Sequence, residues 1–348
     1  TAMIISAIVI VAYTTLGGFL AASTTDFIQS IIMSVALIVV LIFGVETAGG
    51  IGAVIHNASE LPGYLSMTLS YDVNTGKAAP YSALTIVSTA AWGLGYFGMP
   101  HILLRFMAIE DEKKLKLSRR VATIWVVISL FVAVFIGVIG YTMSKVGALE
   151  MLTGSNSETI IVKISALLSQ HGVIFALLAG VILAGILAST MSTSDSQLLA
   201  ASSAVSSDIL GAFRKDSSNK NGSMAAARIT LLVISVVAAF IARNPDSSVF
   251  AIVSFAWAGF GAAFGPVVLF SLFWKRTNKW GALAGMVCGG SMVFIWKYLI
   301  RPLGGIWNIY ELLPAFLIAC AAIVIVSLLT PKPSKEIEEE FDRVAQMK

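Results

Sequence analysis

The sequence predicts an all-α membrane protein, a polytopic helical bundle of nine spans, and three observations carry that prediction. The first is composition. Of the 348 residues, 57% are hydrophobic and only 12% are charged, and the mean hydropathy is +0.88, far from the values of soluble domains. The second is that the apolar residues gather in runs near the roughly 20 residues that cross a hydrocarbon core. These runs fall at about 2–17, 25–45, 80–105, 121–145, 172–205, 227–243, 249–274, 281–300 and 310–330. The third is charge placement, because 17 of the 23 lysines and arginines lie in alternate loops and the C-terminal tail. That asymmetry marks a cytoplasmic side. It divides the chain into a partial transmembrane domain, 1–330, and a cytoplasmic tail, 331–348.

A net charge of +4 and a pI near 9.0 would raise nucleic acid as a partner in a soluble protein. Here the basic residues sit in short loops between apolar runs, so the charge is an orientation signal and the lipid bilayer is the implied partner, with no nucleic acid. Cys288 and Cys320 both fall within apolar runs and read as small core residues rather than a disulfide or a metal site.

The first span opens at Thr1 with no charged flank or leader pattern, which suggests a fragment whose beginning is missing. Asp26 stands at the start of the second span, where a carboxylate near hydrocarbon is either functional or a cap on a helix N-terminus. The longest connection, 46–79, carries Pro62, Gly63 and an apolar patch over 64–69, and is expected to lie across the outer face. Span three contains the run Trp-Gly-Leu-Gly-Tyr-Phe-Gly-Met-Pro over 92–100. Its glycines and proline break the helical ladder, and each freed backbone group in hydrocarbon needs a partner. Trp92 and Tyr96 lie one turn apart on one face, which reads either as the aromatic wall of a substrate pocket or as a proline kink packed by neighbours. Trp92, Tyr96, Phe97 and Pro100 are the candidate substrate site, with Met99 and Pro100 shaping the break. Residues 110–120 read as a solvated, partly helical loop.

Span five holds Ala-Ser-Thr-Met-Ser-Thr-Ser-Asp-Ser over 188–196. Ser189, Ser192 and Thr193 share one face at i, i+3 and i+4. Neutral oxygens in such a set suit a monovalent cation that must also leave, and they equally suit close helix packing with hydrogen bonds across the interface. Asp195 beside them is a second acid in apolar surroundings. In span seven Gly259, Gly261 and Gly265 with Ala262 and Ala263 make a close-packing face, Pro266 makes a kink, and Trp257 reads as a packing residue. Pro331 and Pro333 end the last span, before a charged helical tail. The three histidines, His56, His101 and His171, have no metal-ligand spacing.

The segments GYFGMPHILLRFMA, STMSTSDSQLLAASSAVSSDI, SFAWAGFGAAFGPVVLFSLFWKR and GALAGM resemble the sodium/solute symporter family, in its sodium/proline branch. The resemblance implies a five-plus-five inverted-repeat transporter fold with extra C-terminal helices. The first two spans would be core helices four and five, spans three to seven would form the second repeat, and core helices one to three would be missing. It implies sodium as the coupling ion, with the hydroxyls of Ser192 and Thr193 and the backbone carbonyl of Ser189 as ligands. Asp26 would lie near the ion exit path and share a possible second cation with Asp195 and Ser196, where Asp195 departs from the serine the family carries. The implied function is sodium-coupled symport of L-proline by alternating access, as a multi-pass protein of the plasma (inner) membrane. Other small solutes, namely pantothenate, short carboxylates or sugars, remain within the family, and a transporter-like sensor or a channel would be a different class. No filter-like repeat favours a channel, and no grouping of histidine, cysteine or carboxylate favours an enzyme.

Overall fold

The computed structural model describes residues 2–213, 220–242 and 249–346. Arg214, Lys215 and Lys348, three of the 17 basic residues that mark the cytoplasmic side, lie outside them. In chain order the elements are α1 (Ala2–Thr47), α2 (Ile51–Ser59), β1 (Leu69–Asp72), β2 (Lys77–Pro80), α3 (Ala83–Ala90), a tight 3-10 helix (Ala91–Gly98) and α4 (Pro100–Met107). Then follow α5 (Leu115–Lys145), α6 (Ile160–Leu168), α7 (Val173–Ser203), α8 (Leu210–Phe213) and α9 (Lys220–Ile241). The chain ends with α10 (Val249–Phe273), α11 (Lys279–Ile295), α12 (Leu312–Leu329) and α13 (Lys335–Gln346).

Among the described residues, seven helices are long and apolar enough to cross a membrane, so the chain is an integral multi-pass membrane protein. The first of them runs 44 residues, Ile4–Thr47, and contains the first two expected spans. They are separated by Gly18, whose φ of 60° and ψ of −153° interrupt the helix. A side chain at that φ would be strained, which is why the break falls on glycine. Helix resumes directly after Gly18, so Asp26 lies well inside the second segment and the capping alternative does not hold. The third expected span is divided into α3, the 3-10 stretch and α4, which is the break that the glycines and Pro100 predict.

The chain forms two compact units, 1–79 with 109–246, and 80–108 with 247–348. The first is built on α1, α5, α6 and α7. Its core joins Val40, Ile136, Ile139, Met143, Ile164, Leu168 and Ile182. Small residues let these helices meet closely: a Cβ on Gly185 would stand 2.7 Å from the Ala36 methyl, and one on Gly44 would stand 2.8 Å from Ile139. The buried Ser165 hydroxyl donates to the Ala179 carbonyl at 3.1 Å, tying α6 to α7.

The connection 46–79 is more structured than its composition suggested. It carries α2, whose end is held by an ion pair between Lys145 and Glu60, and a two-stranded hairpin. The hairpin turn is set by Asp72, which accepts from the Asn74 backbone N–H at 2.9 Å and the Thr75 hydroxyl at 2.8 Å, with Gly76 at a φ of 66°. Local side-chain acceptors of this kind make turns that a hydropathy reading passes over.

The second unit packs α10, α11 and α12 around Ala258, Ala262, Val293, Leu312, Ala315 and Phe316. Gly281, Gly285 and Gly289 repeat every four residues on α11, and a Cβ on each would strike α12 or α10. Asn278 caps α11 by accepting from Gly281 N–H at 2.9 Å, and its amide donates to the Thr330 hydroxyl at 2.7 Å and the Pro331 carbonyl at 2.8 Å. The Lys275–Asp342 pair at 2.6 Å attaches α13 to the α10–α11 turn. Cys288 and Cys320 are free thiols, and Cys320 packs against this core.

Candidate functional site

The break in the second unit is held by backbone contact with α10. A Cβ on Gly98 would strike the Phe260 carbonyl and lie 2.9 Å from both Gly261 Cα and Gly265 N, and one on Gly261 would lie 2.7 Å from Gly95 Cα. Glycine on both sides is therefore required for two main chains to run in contact, as the small-residue face of span seven predicts for Gly261, Ala262 and Gly265. Gly259 plays no part in it, since nothing approaches its Cβ direction. Met99 is extended, at φ −80° and ψ 112°, as a residue before proline prefers, and Pro100 begins α4 where its missing N–H costs nothing.

The aromatic residues converge on this break. The Trp257 indole N–H donates to the Trp92 carbonyl at 2.9 Å, which satisfies a backbone group at the break. The Trp92 ring stacks near-parallel on Trp257 at 5.5 Å, on Phe250 at 5.6 Å and on Tyr310 at 6.0 Å. Tyr96 meets Trp257 edge-on at 4.8 Å. The structure thus brings Trp92 and Tyr96 together through Trp257, a residue whose packing role was expected and whose hydrogen bond was not. Tyr96 and Phe97 keep 47% and 42% of their surface exposed, whereas Met99 is buried.

On α7 of the first unit, the Ser192 hydroxyl donates to the Ser189 carbonyl at 3.1 Å and the Thr193 hydroxyl donates to the same oxygen at 3.2 Å. Three oxygens named from the sequence therefore converge on one point of one helix face. Thr190 and Ser194 bond instead to the carbonyls of Ile186 and Thr190 and take no part. Three oxygens are half or less of the shell a hard cation takes.

Asp195 and Ser196 lie on the buried side of α7. Asp195 is fully buried; it accepts from the Tyr13 hydroxyl at 2.7 Å and from the Ser196 hydroxyl at 3.2 Å. The Ser196 hydroxyl also lies 2.8 Å from the Ser192 carbonyl. Gln29 and Asp26 of α1 are within electrostatic reach of the Tyr13 hydroxyl, so Asp26 and Asp195 share one polar region between α1 and α7. Charge-assisted donors of this kind make a carboxylate tolerable away from water. Tyr13, Gln29, Phe250 and Tyr310 were not identified from the sequence. A buried acid requires a donor, but nothing local says which of the distant hydroxyls supplies it.

The profile of the sodium:solute symporter family matches residues 1–289, a stretch that contains both candidate sites. The chain belongs to the sodium:solute symporter family. Among similar proteins, the osmoregulated proline transporter OpuE of Bacillus subtilis is 38% identical over 327 residues, which are 94% of this chain and 63% of that protein. The sodium/proline symporter of Haemophilus influenzae is 39% identical over 349 residues, covering 99% of this chain and 66% of its own length. A solved structure of a Na+-coupled sialic acid symporter, in a substrate-bound outward-open state, aligns with a TM-score of 0.72 at 18% identity, over 94% of this chain and 66% of that one. That likeness establishes the symporter fold. The chain spans about two thirds of the length of the curated relatives it matches. Tyr310 and α12 lie beyond the residues that the family profile matches, within the stretch that the Haemophilus influenzae symporter covers.

Proposed function

We propose that the protein is a secondary active transporter that takes up L-proline by sodium-coupled symport, in the plasma membrane with its C-terminus in the cytoplasm. The observation that carries the sodium assignment is the convergence of the Ser192 and Thr193 hydroxyls on the Ser189 carbonyl at 3.1 and 3.2 Å. Sodium binds such a set by exchanging water oxygens for fixed ones, and oxygens from the symporter's first core helix would complete the shell. A neutral site releases its ion readily, because no fixed charge holds it. Preferential binding of sodium to one conformation biases the equilibrium between outward and inward forms, and that linkage couples the two solutes.

For the substrate, Trp92, Tyr96 and Phe97 offer ring faces and edges to the apolar pyrrolidine ring of proline, and the helix ends at the break offer dipoles to its carboxylate and amine. Pro100 fixes the direction in which α4 leaves. The proline transporters among the relatives favour this solute over pantothenate, short carboxylates and sugars. Asp26, with Asp195 and Ser196, would attract the released ion or hold a second cation on the way to the cytoplasm. The lipid bilayer is the surrounding partner. The test is uptake of labelled proline by the complete protein in sealed vesicles, with and without an inward sodium gradient. Gradient-dependent uptake that unlabelled proline abolishes is expected. Uptake that ignores sodium, or that pantothenate or a sugar suppresses and proline does not, overturns the reading.

A further inference from the structure

Tyr310, in the short segment before α12, touches both halves of the aromatic wall through three different groups. Its ring stacks on Trp92 at 6.0 Å. Its hydroxyl donates to the Ser254 carbonyl of α10 at 2.6 Å, and its backbone N–H donates to the Ser88 hydroxyl of α3 at 3.0 Å. Ser254 stands one turn before Trp257 on α10, and Ser88 stands one turn before Trp92 on α3 and its 3-10 extension. The two anchors are thus placed one turn ahead of the two tryptophans whose mutual bond and stack define the wall. Glu311, the next residue, is buried and paired with Arg301 at 2.8 Å, and Leu312 is a buried member of the unit's core, so the segment carrying Tyr310 is itself fixed.

We propose that Tyr310 is a positioning residue for the substrate wall: it staples the α3 side of the break to α10 and so sets the Trp92–Trp257 spacing and the affinity for substrate. Tyr310 leads directly into α12, so the staple is a route by which the C-terminal helices act on the transport site. The physical ground is that a broken helix lacks the continuous ladder that would hold its two sides in register. The break is held instead by contacts to other elements, and Tyr310 ties its α3 side to α10. The substrate part of this proposal rests on the reading of Trp92 and Tyr96 as substrate contacts.

The experiment uses the complete protein with Tyr310→Phe, which keeps the ring and removes the bond to the Ser254 carbonyl, and Ser88→Ala, which removes the acceptor for the Tyr310 N–H. The first readout is the near-ultraviolet circular dichroism of the stacked indoles, defined as the signal that Trp92→Phe abolishes; both variants should diminish it. The second is sodium-dependent proline uptake, where the half-saturating proline concentration should rise about three- to tenfold, the range one hydrogen bond supplies. The half-saturating sodium concentration and the amount of inserted protein should stay within about twofold of the parent, since a bond lost without wider unfolding leaves other sites intact. A residue with a merely structural role would lower the inserted amount and leave both half-saturations unchanged. An unaltered dichroic signal overturns the staple, and an unaltered proline half-saturation overturns its role in substrate affinity. If Trp92→Ala itself leaves proline kinetics unchanged, the substrate reading has failed, and the dichroic signal still decides the staple by itself.

Discussion

Replacing Thr193 by alanine removes one of two hydroxyls that converge on the Ser189 carbonyl, and its consequence follows from what occupies the vacated place. Before sodium arrives the hydroxyl donates to Ser189 at 3.2 Å, an exposed bond worth about 1 kcal/mol or less. In the proposed site its lone pair would turn to the ion on binding. In the variant a water takes that coordination position, and fixing it there costs up to about 2 kcal/mol of immobilisation. The loss should therefore be near 1.4 kcal/mol, about a tenfold rise in the half-saturating sodium concentration. Thr193→Ser keeps the oxygen and should stay close to the parent. The assay is proline uptake by the complete protein across a sodium titration at fixed proline. If Ser192→Ala and Thr193→Ala both leave the sodium curve in place, the ion is bound elsewhere and this face of α7 only packs.

Three further outcomes are expected. Tyr96→Ala removes an exposed ring and its edge contact with Trp257 at 4.8 Å, so the half-saturating proline concentration should rise about tenfold or more while the protein still inserts, beyond the roughly 1 kcal/mol that an aromatic pair contributes; unchanged kinetics would remove Tyr96 from the site. Gly98→Ala forces a methyl against the backbone of Phe260, Gly261 and Gly265 and should cost about 1–3 kcal/mol. Gly93→Ala, with nothing near its Cβ direction, should be close to neutral; thermal inactivation of the two purified variants separates them, and equal stabilities would contradict the backbone contact. The Lys145 ammonium, by hydrogen bond and charge, holds the Glu60 carboxyl below its ordinary range, so this pair's contribution is present above that ordinary range and is lost as pH falls through the lowered value. Hydrogen exchange in α2 should accordingly quicken on acidification in the parent, and be fast and nearly pH-independent, after correction for intrinsic rates, in Glu60→Gln.

The parts of this protein that were legible in the sequence are those governed by rules acting within one segment. Hydrocarbon obliges each span to satisfy its own backbone, so the lengths and positions of the spans follow from apolar runs, and the break at 92–100 follows from its glycines and Pro100. The face shared by Ser189, Ser192 and Thr193 is a consequence of helical period, and their oxygens do converge on one carbonyl. Positions whose meaning depends on a neighbouring element were left open. A cap stayed open as the alternative for Asp26 because hydropathy cannot locate the end of a kink, and the turn built by Asp72 went unread within the connection 46–79.

What only the tertiary structure decided is which distant groups meet. Trp257 reaches the Trp92 carbonyl across 165 residues, Tyr13 reaches Asp195 across 182, and Tyr310 reaches Ser88 across 222. No period or motif encodes these pairings. They are selected when glycine and alanine faces let particular helices approach closely, and a donor on one is then the nearest partner for a buried acceptor on the other. The sequence alone determined that this chain crosses the membrane many times, where it breaks, and which oxygens share a face; the packing of the helices determined what satisfies the break and what holds the buried acid, because in hydrocarbon the ladder is a local obligation and the remaining polar partners are a matter of which surfaces fit.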